Sequence, residues 1–248
     1  MTADIKTIAA HGCYGVACIT ALTIQSTTGV QKIEPVAPIT LTESLCELAK
    51  DVEIAAVHIG MLGSAEIANV VADFLVGKRL PNVVLDPILK SSSGADLLEP
   101  LGIAVLKARL LPLATVITPN VDEAAVLTGL PVTNLDQMQQ VAEQLHFMGA
   151  KVVVITGGHM QKATDLLSVS EKNGIEQKVF TGELIQSKST HGTGCAFATA
   201  LACQLALGRK LDKSVSLAKA YVREAIANAY PVGKGIGPLN HFYKFTKE

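Results

Sequence analysis

The sequence has no tryptophan, few aromatic residues and almost no net charge, and each shortage excludes a class of protein. Aromatic residues make up 4% of the 248 residues, whereas apolar residues make up 49%. A composition dominated by small and aliphatic residues favours a parallel sheet covered by helices over a sandwich or a barrel. The formal net charge is −1, with both signs mixed along the chain. We therefore expect no nucleic-acid partner and no membrane-surface partner.

The chain also lacks an uninterrupted apolar run of the length that a membrane span requires. A span needs about 20 apolar residues in succession, and the most apolar long stretch, residues 54–77, does not provide them. Its interruptions are His58, Glu66, Asn69 and Asp73. The first residues carry Asp4 and Lys6 and show no signal-peptide pattern. Five cysteines without framework spacing indicate a reducing compartment, so a soluble cytoplasmic protein is expected.

Several widespread site motifs are missing as well. No G-x-G-x-x-G follows an early strand and no G-x-x-x-x-G-K-[ST] loop occurs, which excludes the dinucleotide fingerprint and the Walker loop. No C-x-x-C or H-E-x-x-H spacing for zinc is present, and no G-x-S-x-G nucleophile elbow. Any catalytic chemistry must therefore rest on other residues.

What the chain does contain is an alternation of short apolar runs with longer amphipathic segments. The predicted strands are 16–24, 55–60, 82–86, 114–118 and 151–156. The predicted helices are 41–50, 64–76, 101–111, 135–149, 193–208 and 212–230. This alternation indicates βαβ units and a parallel sheet. An Asn-Gly turn within residues 164–180 predicts a hairpin at the sheet edge. The whole chain, 1–248, is thus predicted to be a single α/β domain.

The segment "HGTGC", residues 191–195, is the most informative of the predicted strand-to-helix junctions, where such sheets bind ligands. Its glycines would let consecutive backbone N–H groups point at one place, and a helix beginning there would add its positive end. That arrangement suits an anion or a developing negative charge, and it would favour the thiolate of Cys195. The alternative is an ordinary helix start, with Thr193 as the cap and Cys195 as a small buried residue.

The other junctions are "GML" at 60–62, "LDP" at 85–87, "TPNVDEA" at 118–124 and "TGGH" at 156–159. Asn120 and Glu123 stand three apart at a helix start, where they could hold hydrated Mg²⁺ against phosphate or simply cap the helix. Asp86 could bind a metal or phosphate, or cap its loop. Gln25 could read a flat heterocycle through its amide. Met61 is as readily core packing as a ligand wall.

Taken together, these segments resemble the ribokinase-like superfamily, and within it the hydroxymethylpyrimidine and phosphomethylpyrimidine kinases of thiamine biosynthesis. The matching segments are "ADIKTIAAHGCYGVACITALTIQSTTGV", "HIGML", "NVVLDP", "LLPLATVITPNVDEA", "VVVITGGH", "STHGTGCAFATALA" and "VGKGIGPLNHF". They run in unchanged order over almost the whole chain. The resemblance implies a three-layer α/β/α fold with a mostly parallel central sheet, an antiparallel edge hairpin, and a homodimer.

The resemblance also implies roles for individual residues. Catalysis would rest on Cys195, in place of the superfamily's usual aspartate base, and on the anion hole of Gly192, Thr193 and Gly194. The pyrimidine would contact Asp4, Gln25 and Met61. ATP would contact Asn120, Thr156, Thr190 and Lys234. Asp86 and Glu123 would manage Mg²⁺. The implied reaction is ATP-dependent phosphorylation of the hydroxymethyl group, followed by phosphorylation of the monophosphate to the diphosphate.

The sequence departs from the family pattern in two places. The family's opening strand and its glycine-rich turn have no counterpart before Met1, which predicts an exposed apolar sheet edge and an open pocket near Asp4. Thr156 stands where this branch often has lysine, and a threonine at this position resembles the pyridoxal-kinase relatives. Two alternatives therefore stay open: a pyridoxine or pyridoxal kinase of the same fold, and a catalytically impaired pyrimidine-binding regulatory paralogue.

Overall fold

The structure, a computed structural model, describes residues 1–91, 93–158 and 163–245. Its strands are β1 (Ala21–Ser26), β2 (Gly29–Pro35), β3 (Val57–Ile59), β4 (Val83–Leu85), β5 (Val116–Ile117), β6 (Val152–Gly157), β7 (Ala163–Glu171) and β8 (Gly174–Gly182). Its α-helices are α1 (Thr2–Ala10), α2 (Pro38–Asp51), α3 (Ala65–Lys78), α4 (Pro100–Val105), α5 (Val121–Thr128), α6 (Leu135–Phe147), α7 (Thr193–Ala206) and α8 (Leu211–Ala227). None of these helices combines the length and the apolar character needed to cross a bilayer.

Six strands form one sheet whose spatial order, β3-β4-β5-β6-β7-β8, is also the chain order. The pairs from β3 to β6 are parallel, whereas β6, β7 and β8 pair antiparallel. The edge hairpin predicted from the Asn-Gly turn is therefore confirmed. Because right-handed crossovers that advance in one direction fall on one face of a sheet, α3 to α6 all cover the same face.

Helices on both faces of the sheet bury two apolar clusters, so the predicted three-layer architecture is confirmed. Alternation along β4 illustrates the division, because Val83 and Leu85 join one cluster while Val84 joins the other. The first cluster lies under α2 to α6. The second lies under α7 and α8, where small residues such as Ala196 and Ala200 allow close helix-to-sheet contact. The carboxyl ends of β3, β4, β5 and β6 are left as the floor of a cleft.

The prediction of a strand over residues 16–24 in the parallel sheet is wrong. The strand begins at Ala21 and pairs only with β2, in a separate two-stranded antiparallel hairpin. Its apolar side chains Leu22 and Ile24 are exposed rather than covered by helices. The connection of two residues between β1 and β2 favours pairing with the nearest neighbour in sequence over insertion into the larger sheet.

The turn of this hairpin is held against the C-terminal segment. The N–H of Ile236 donates to the carbonyl oxygen of Thr27 at 2.9 Å. The two backbones approach so closely that a β-carbon on Gly235 would lie 2.0 Å from that same oxygen. Glycine is therefore required at 235 by the contact itself, and the hairpin and residues 233–237 form one unit beside the cleft.

The segment predicted as a helix over 101–111 is less regular than its pattern suggests. Helix α4 ends at Val105, and the chain continues through a π-helical turn, Leu106–Leu110, and a 3-10 turn, Leu111–Leu113. Leu106, Leu110 and Leu111 are all buried. The wider turn brings these leucines into the first apolar cluster, so packing here overrides the regular helical period.

Candidate active site

The cleft at the carboxyl ends of the strands has a volume of about 1520 Å³ and is lined by residues from both ends of the chain. The predicted residues that line it are Asp4, Gln25, Met61, Asp86, Asn120, Glu123, Thr156, Thr190, Gly192, Thr193, Gly194 and Cys195. Lys234 is exposed and does not line it. His159, from the "TGGH" junction, lies outside the described residues. The predicted site thus comes together, apart from Lys234.

Asp86 lies at the centre of this cleft, directly after β4, and its side chain is buried. The hydroxyl of Thr118, which follows β5, donates to one of its carboxylate oxygens at 3.4 Å. Burial raises the pKa of Asp86 well above its usual value, and the nearby Glu123 and Asp4 raise it further. A buried carboxylate surrounded by other carboxylates is a place where a cation or a proton is favoured.

Helix α7 begins beside Asp86, and its N-terminal turn is open. Gly192 is the cap residue in the left-handed region, with φ of 81°, and no side chain caps the helix. The prediction that Thr193 is the cap is wrong, since Thr193 already belongs to the helix and its N–H bonds to the carbonyl of Thr190 at 3.4 Å. The N–H groups of Gly194 and Cys195 have no intrahelical partner, so this turn could accept an anion.

The electrostatic environment of Cys195 is the opposite of the one that the sequence predicts. Burial raises the pKa of the Cys195 thiol well above its usual value, and the carboxylates of Asp86 and Asp4 raise it further. The prediction of a favoured thiolate is therefore wrong for the protein alone, in which Cys195 carries its proton.

Asn120 and Glu123 form a reciprocal capping box at the start of α5. The Asn120 side chain accepts from the Glu123 N–H, and the Glu123 carboxylate accepts from the Asn120 N–H, each at 2.9 Å. The capping alternative is thus realised, yet the Glu123 side chain is also buried and faces the cleft. Burial raises the pKa of Glu123 to about 7, against backbone hydrogen bonds from Asn120 and Leu89 that lower it.

Asp86 and Glu123 also fit the chemistry of a hydrated magnesium ion. Among the residues that the structure describes, no group of three or more His, Cys, Asp or Glu side chains forms a closed metal site. Mg²⁺ commonly uses only one or two carboxylates and completes its shell with water and phosphate oxygens. Two buried carboxylates whose pKa values are raised by proximity and burial satisfy that requirement.

The residues predicted to contact ATP are only partly assembled. Asn120 and Thr156 are adjacent, because the two form a parallel bridge and the Thr156 N–H donates to the carbonyl of Pro119 at 2.9 Å. Thr190 lies at the entry to α7. These three line the same cleft, whereas Lys234 projects from the exposed loop beside the β1–β2 hairpin.

The residues predicted to contact the pyrimidine come from three separate segments. Gln25 lies at a β-bulge of the hairpin, and its amide nitrogen is 3.2 Å from the His191 ring nitrogen Nε2. The Met61 carbonyl accepts from the hydroxyl of Thr20 at 2.6 Å, which ties the chain after β3 to the hairpin. The carboxylate of Asp4, in α1, accepts from the Thr199 hydroxyl of α7 at 3.0 Å.

His58, in the middle of β3, is a buried member of the site that the sequence reasoning missed. Its Nδ1 is 3.1 Å from the Thr199 hydroxyl, and its Nε2 is 4.0 Å from Asp86 Oδ2. No hydrogen-bond partner for Nε2 occurs among the described residues. Burial lowers the pKa of His58, so the neutral ring links the Asp4 and Asp86 regions. A histidine inside the apolar run "AAVHIG" was the available signal.

The raised pKa of Glu123 predicts a pH dependence of stability. Its folded-state value is about 7, against 4.5 in the unfolded chain, so its contribution is present below pH 4.5 and is lost as pH rises towards 7. This loss is on the order of 3 kcal/mol. Urea unfolding from pH 4.5 to 8 should therefore show a weaker decline for Glu123→Gln, which keeps the capping acceptor. Equal slopes in the two proteins would contradict this assignment.

Comparison with known proteins places this geometry among kinases. A family profile described as phosphomethylpyrimidine kinase matches residues 1–240. The hydroxymethylpyrimidine/phosphomethylpyrimidine kinase of Haemophilus influenzae is 40% identical over 242 residues, which cover 97% of this chain and 90% of that protein. The thiamine biosynthesis bifunctional protein ThiED of Geobacter sulfurreducens is 40% identical over 241 residues, 96% of this chain and 48% of that protein.

Two solved structures show the same architecture. The ADP complex of Bacillus subtilis pyridoxal kinase superimposes with a TM-score of 0.89 at 30% identity, covering 100% of this chain and 93% of that one. The phosphomethylpyrimidine kinase of Clostridium difficile 630 superimposes with a TM-score of 0.79 at 36% identity, covering 90% of this chain and 91% of that one. The same architecture is thus shared by a pyridoxal kinase and a phosphomethylpyrimidine kinase.

Proposed function

Because the chain belongs to the phosphomethylpyrimidine kinase family, we propose that it phosphorylates 4-amino-5-hydroxymethyl-2-methylpyrimidine and then converts the monophosphate to the diphosphate. It is a phosphotransferase of thiamine biosynthesis, and the ADP complex of the related pyridoxal kinase supports ATP as its phosphoryl donor. The observation that carries the proposal is the uncapped first turn of α7, which lies directly beside the buried carboxylate of Asp86. An anion-binding turn next to acidic groups matches the needs of phosphoryl transfer.

In this proposal Asp86 and Glu123 are the residues that would hold a hydrated Mg²⁺. Bound there, the ion would neutralise phosphate charge and orient the transferring group. Asn120, Thr156 and Thr190 border the side of the cleft where the nucleotide phosphates would lie. Lys234 would reach them only through movement of its exposed loop.

The α7 turn would stabilise the charge on the transferring phosphoryl group. Gly192 aims the N–H groups of Gly194 and Cys195, because its left-handed φ closes the turn without a side chain. Cys195 carries its proton in the protein alone, since its pKa is raised, and is therefore not available as a base. A loose phosphoryl-transfer transition state needs little help from a base. The substrate hydroxyl would therefore lose its proton late, to an oxygen of the transferred phosphoryl group, and the Cys195 sulfur would accept a hydrogen bond from the hydroxyl before transfer.

The ring pocket would be formed by Gln25, Met61 and Asp4. The amide of Gln25 can donate and accept side by side, which suits the aminopyrimidine edge. When substrate binds, the contact of Gln25 with His191 would be replaced by a contact with the pyrimidine ring. Met61 would cover one face of the ring, and Asp4 would lie near its polar substituents. This pocket draws on the β1–β2 hairpin, so the hairpin would close over bound substrate.

A pyridoxal-type kinase is the second candidate, and two observations favour it. The pyridoxal kinase of Bacillus subtilis gives the higher TM-score of the two reported structures, 0.89 against 0.79, and Thr156 departs from lysine at its position. The pyrimidine kinases nevertheless share more sequence identity with this chain. A catalytically impaired pyrimidine-binding paralogue is the third candidate.

One experiment distinguishes all three candidates. Purified protein is incubated with Mg-ATP and hydroxymethylpyrimidine, with pyridoxal in parallel, and the products are followed by mass spectrometry. We expect pyrimidine monophosphate followed by diphosphate. Phosphorylated pyridoxal alone would transfer the assignment to the second candidate. No product from either compound, with a thermal shift on adding the pyrimidine, would identify a binding protein.

A homodimer in the cytoplasm is part of the same proposal. Leu22 and Ile24 of the hairpin are exposed by 56% and 55%, and a second copy would cover such apolar side chains. The five cysteines are unpaired, in keeping with a reducing compartment. Light scattering on the purified protein tests the dimer, and a single-chain mass at micromolar concentration would contradict it.

A further inference from the structure

A buried ion pair lies beneath the end of β6, away from the reacting groups. The Asp165 carboxylate, at the start of β7, is 2.6 Å from the Lys219 ammonium of α8. The side chains are exposed by only 8% and 18%. Lys219 also donates to the carbonyl of Ala163 at 2.9 Å. The pair therefore fastens α8 to the beginning of β7.

The second oxygen of Asp165 extends this contact to the end of β6. It accepts from the N–H of Gly157 at 3.1 Å. Gly157 also pairs with Thr164 in the β6–β7 ladder, and the carboxylate adds a side-chain acceptor that helps to hold the direction of its peptide. Both carboxylate oxygens of Asp165 therefore have a partner: one contacts the Lys219 ammonium, and the other accepts from the Gly157 N–H of β6.

The peptide between Thr156 and Gly157, whose N–H is held by Asp165, adjoins the residues that are proposed to contact the nucleotide. Gly157 directly follows Thr156, whose N–H is bonded to Pro119 and which forms a bridge with Asn120. A turn of the Gly157 peptide would change the ψ angle at Thr156 and move it relative to Asn120. Geometry at the phosphate side of the cleft is thus linked to an ion pair that does not line it.

We propose that Asp165 and Lys219 are positioning residues for the nucleotide, which act through the Gly157 peptide on Thr156 and Asn120. The inference rests on the proposed function, because it takes those two residues as nucleotide contacts. Breaking a buried pair leaves one charge without a partner, so the bond to Gly157 loses its fixed acceptor. ATP binding should weaken while the pyrimidine pocket, built from other segments, stays unchanged.

The test measures ATP affinity separately from turnover. Calorimetric titration with Mg-ADP and steady-state kinetics are carried out on wild type, Asp165→Asn, Lys219→Met and the double variant Asp165→Asn/Lys219→Met. We expect a rise of about tenfold in the Mg-ADP Kd and in the KM for ATP. The KM for the pyrimidine should change by less than about twofold, a split that general destabilisation would not produce.

The exposed ion pair between Lys178 of β8 and Asp212 of α8 provides the matched control. It joins the same hairpin to the same helix at 3.3 Å, with both side chains more than half exposed. Asp212→Asn should leave both KM values unchanged, since exposed pairs contribute little. The double variant leaves no unpaired buried charge and serves if either single variant fails to fold.

Two results would overturn the inference. One is a lower Tm for the Asp165 and Lys219 variants with unchanged Mg-ADP affinity, which would make the pair purely structural. The other is an equal rise in both KM values. Failure of the proposed function looks different, because the wild type would then bind Mg-ADP without phosphorylating the pyrimidine. In that case the calorimetric comparison alone still decides the inference.

Discussion

Gly194→Val is expected to lower kcat/KM for pyrimidine phosphorylation by about 10²–10³. A β-carbon at this position would lie 3.9 Å from Asp86 Oδ2, which is ordinary contact, and Gly194 is exposed at the helix start. The fold should therefore tolerate the change. The branched side chain would instead fill the space in front of the first-turn N–H groups. Removing one such donor typically costs about 2.7–4 kcal/mol of transition-state stabilisation.

Measuring Cys195→Ala beside Gly194→Val shows whether the turn or the thiol contributes more to catalysis. If charge stabilisation by the turn dominates, Gly194→Val is at least as damaging as the loss of the thiol, whose raised pKa keeps it protonated and unavailable as a base. Gly194→Ala, with a single added carbon, should fall between wild type and valine. All three variants are measured by initial rates at saturating ATP, with Tm as the check on folding. Comparable turnover in Gly194→Val and wild type would remove the anion hole from the mechanism.

Asp86→Asn should reduce kcat by about a thousandfold and, at the same time, stabilise the protein without ligands. The activity falls because the amide cannot neutralise Mg²⁺ as a carboxylate does, an effect of several kcal/mol. The stability rises because Asp86 is a buried acid whose pKa is raised by burial, Glu123 and Asp4. Asparagine keeps the acceptor for Thr118 and carries no charge into that site.

The Asp86→Asn prediction is easy to contradict, because the expected changes in activity and in stability have opposite signs. Thermal unfolding at pH 8, without nucleotide or magnesium, should give a higher Tm for Asp86→Asn than for wild type. Added Mg-ATP should stabilise wild type and have little effect on the variant. A drop in Tm together with the loss of activity would mean that Asp86 supports the fold rather than the chemistry. Thr118→Val, which removes the hydrogen bond and leaves the charge, is the matched control.

The structure brings most of the predicted site residues together because several of them stand at the carboxyl ends of parallel strands. Asp86 follows β4, and Asn120 follows β5, so their convergence is set by the sheet rather than by distant packing. The edge hairpin can be predicted from the sequence in the same way, since Asn173-Gly174 is itself a turn sequence. In each case a local pattern was sufficient to predict the position.

Other features depend on contacts that no local pattern records. The pKa of Cys195 is raised first by burial and then by Asp86 and Asp4, which come from distant parts of the chain. The early hairpin was assigned to the parallel sheet because its apolar run resembles a buried strand, although Leu22 is exposed. Lys234 was expected in the cleft and lies outside it, because close contact of Gly235 with Thr27 directs that loop elsewhere.

The closure of the cleft by both ends of the chain has a consequence for protein synthesis. Thr7 is bonded to His241, and Asp4 to Thr199, across sequence separations of 234 and 195 residues. At about 5–20 residues per second, a ribosome needs roughly 12–47 s to make the residues that separate Thr7 from its partner. During that time α1 emerges with no partner helix to cover it. Helix α1 therefore reaches its final contacts only after the segment that contains His241 has been made, and this side of the cleft forms late in synthesis.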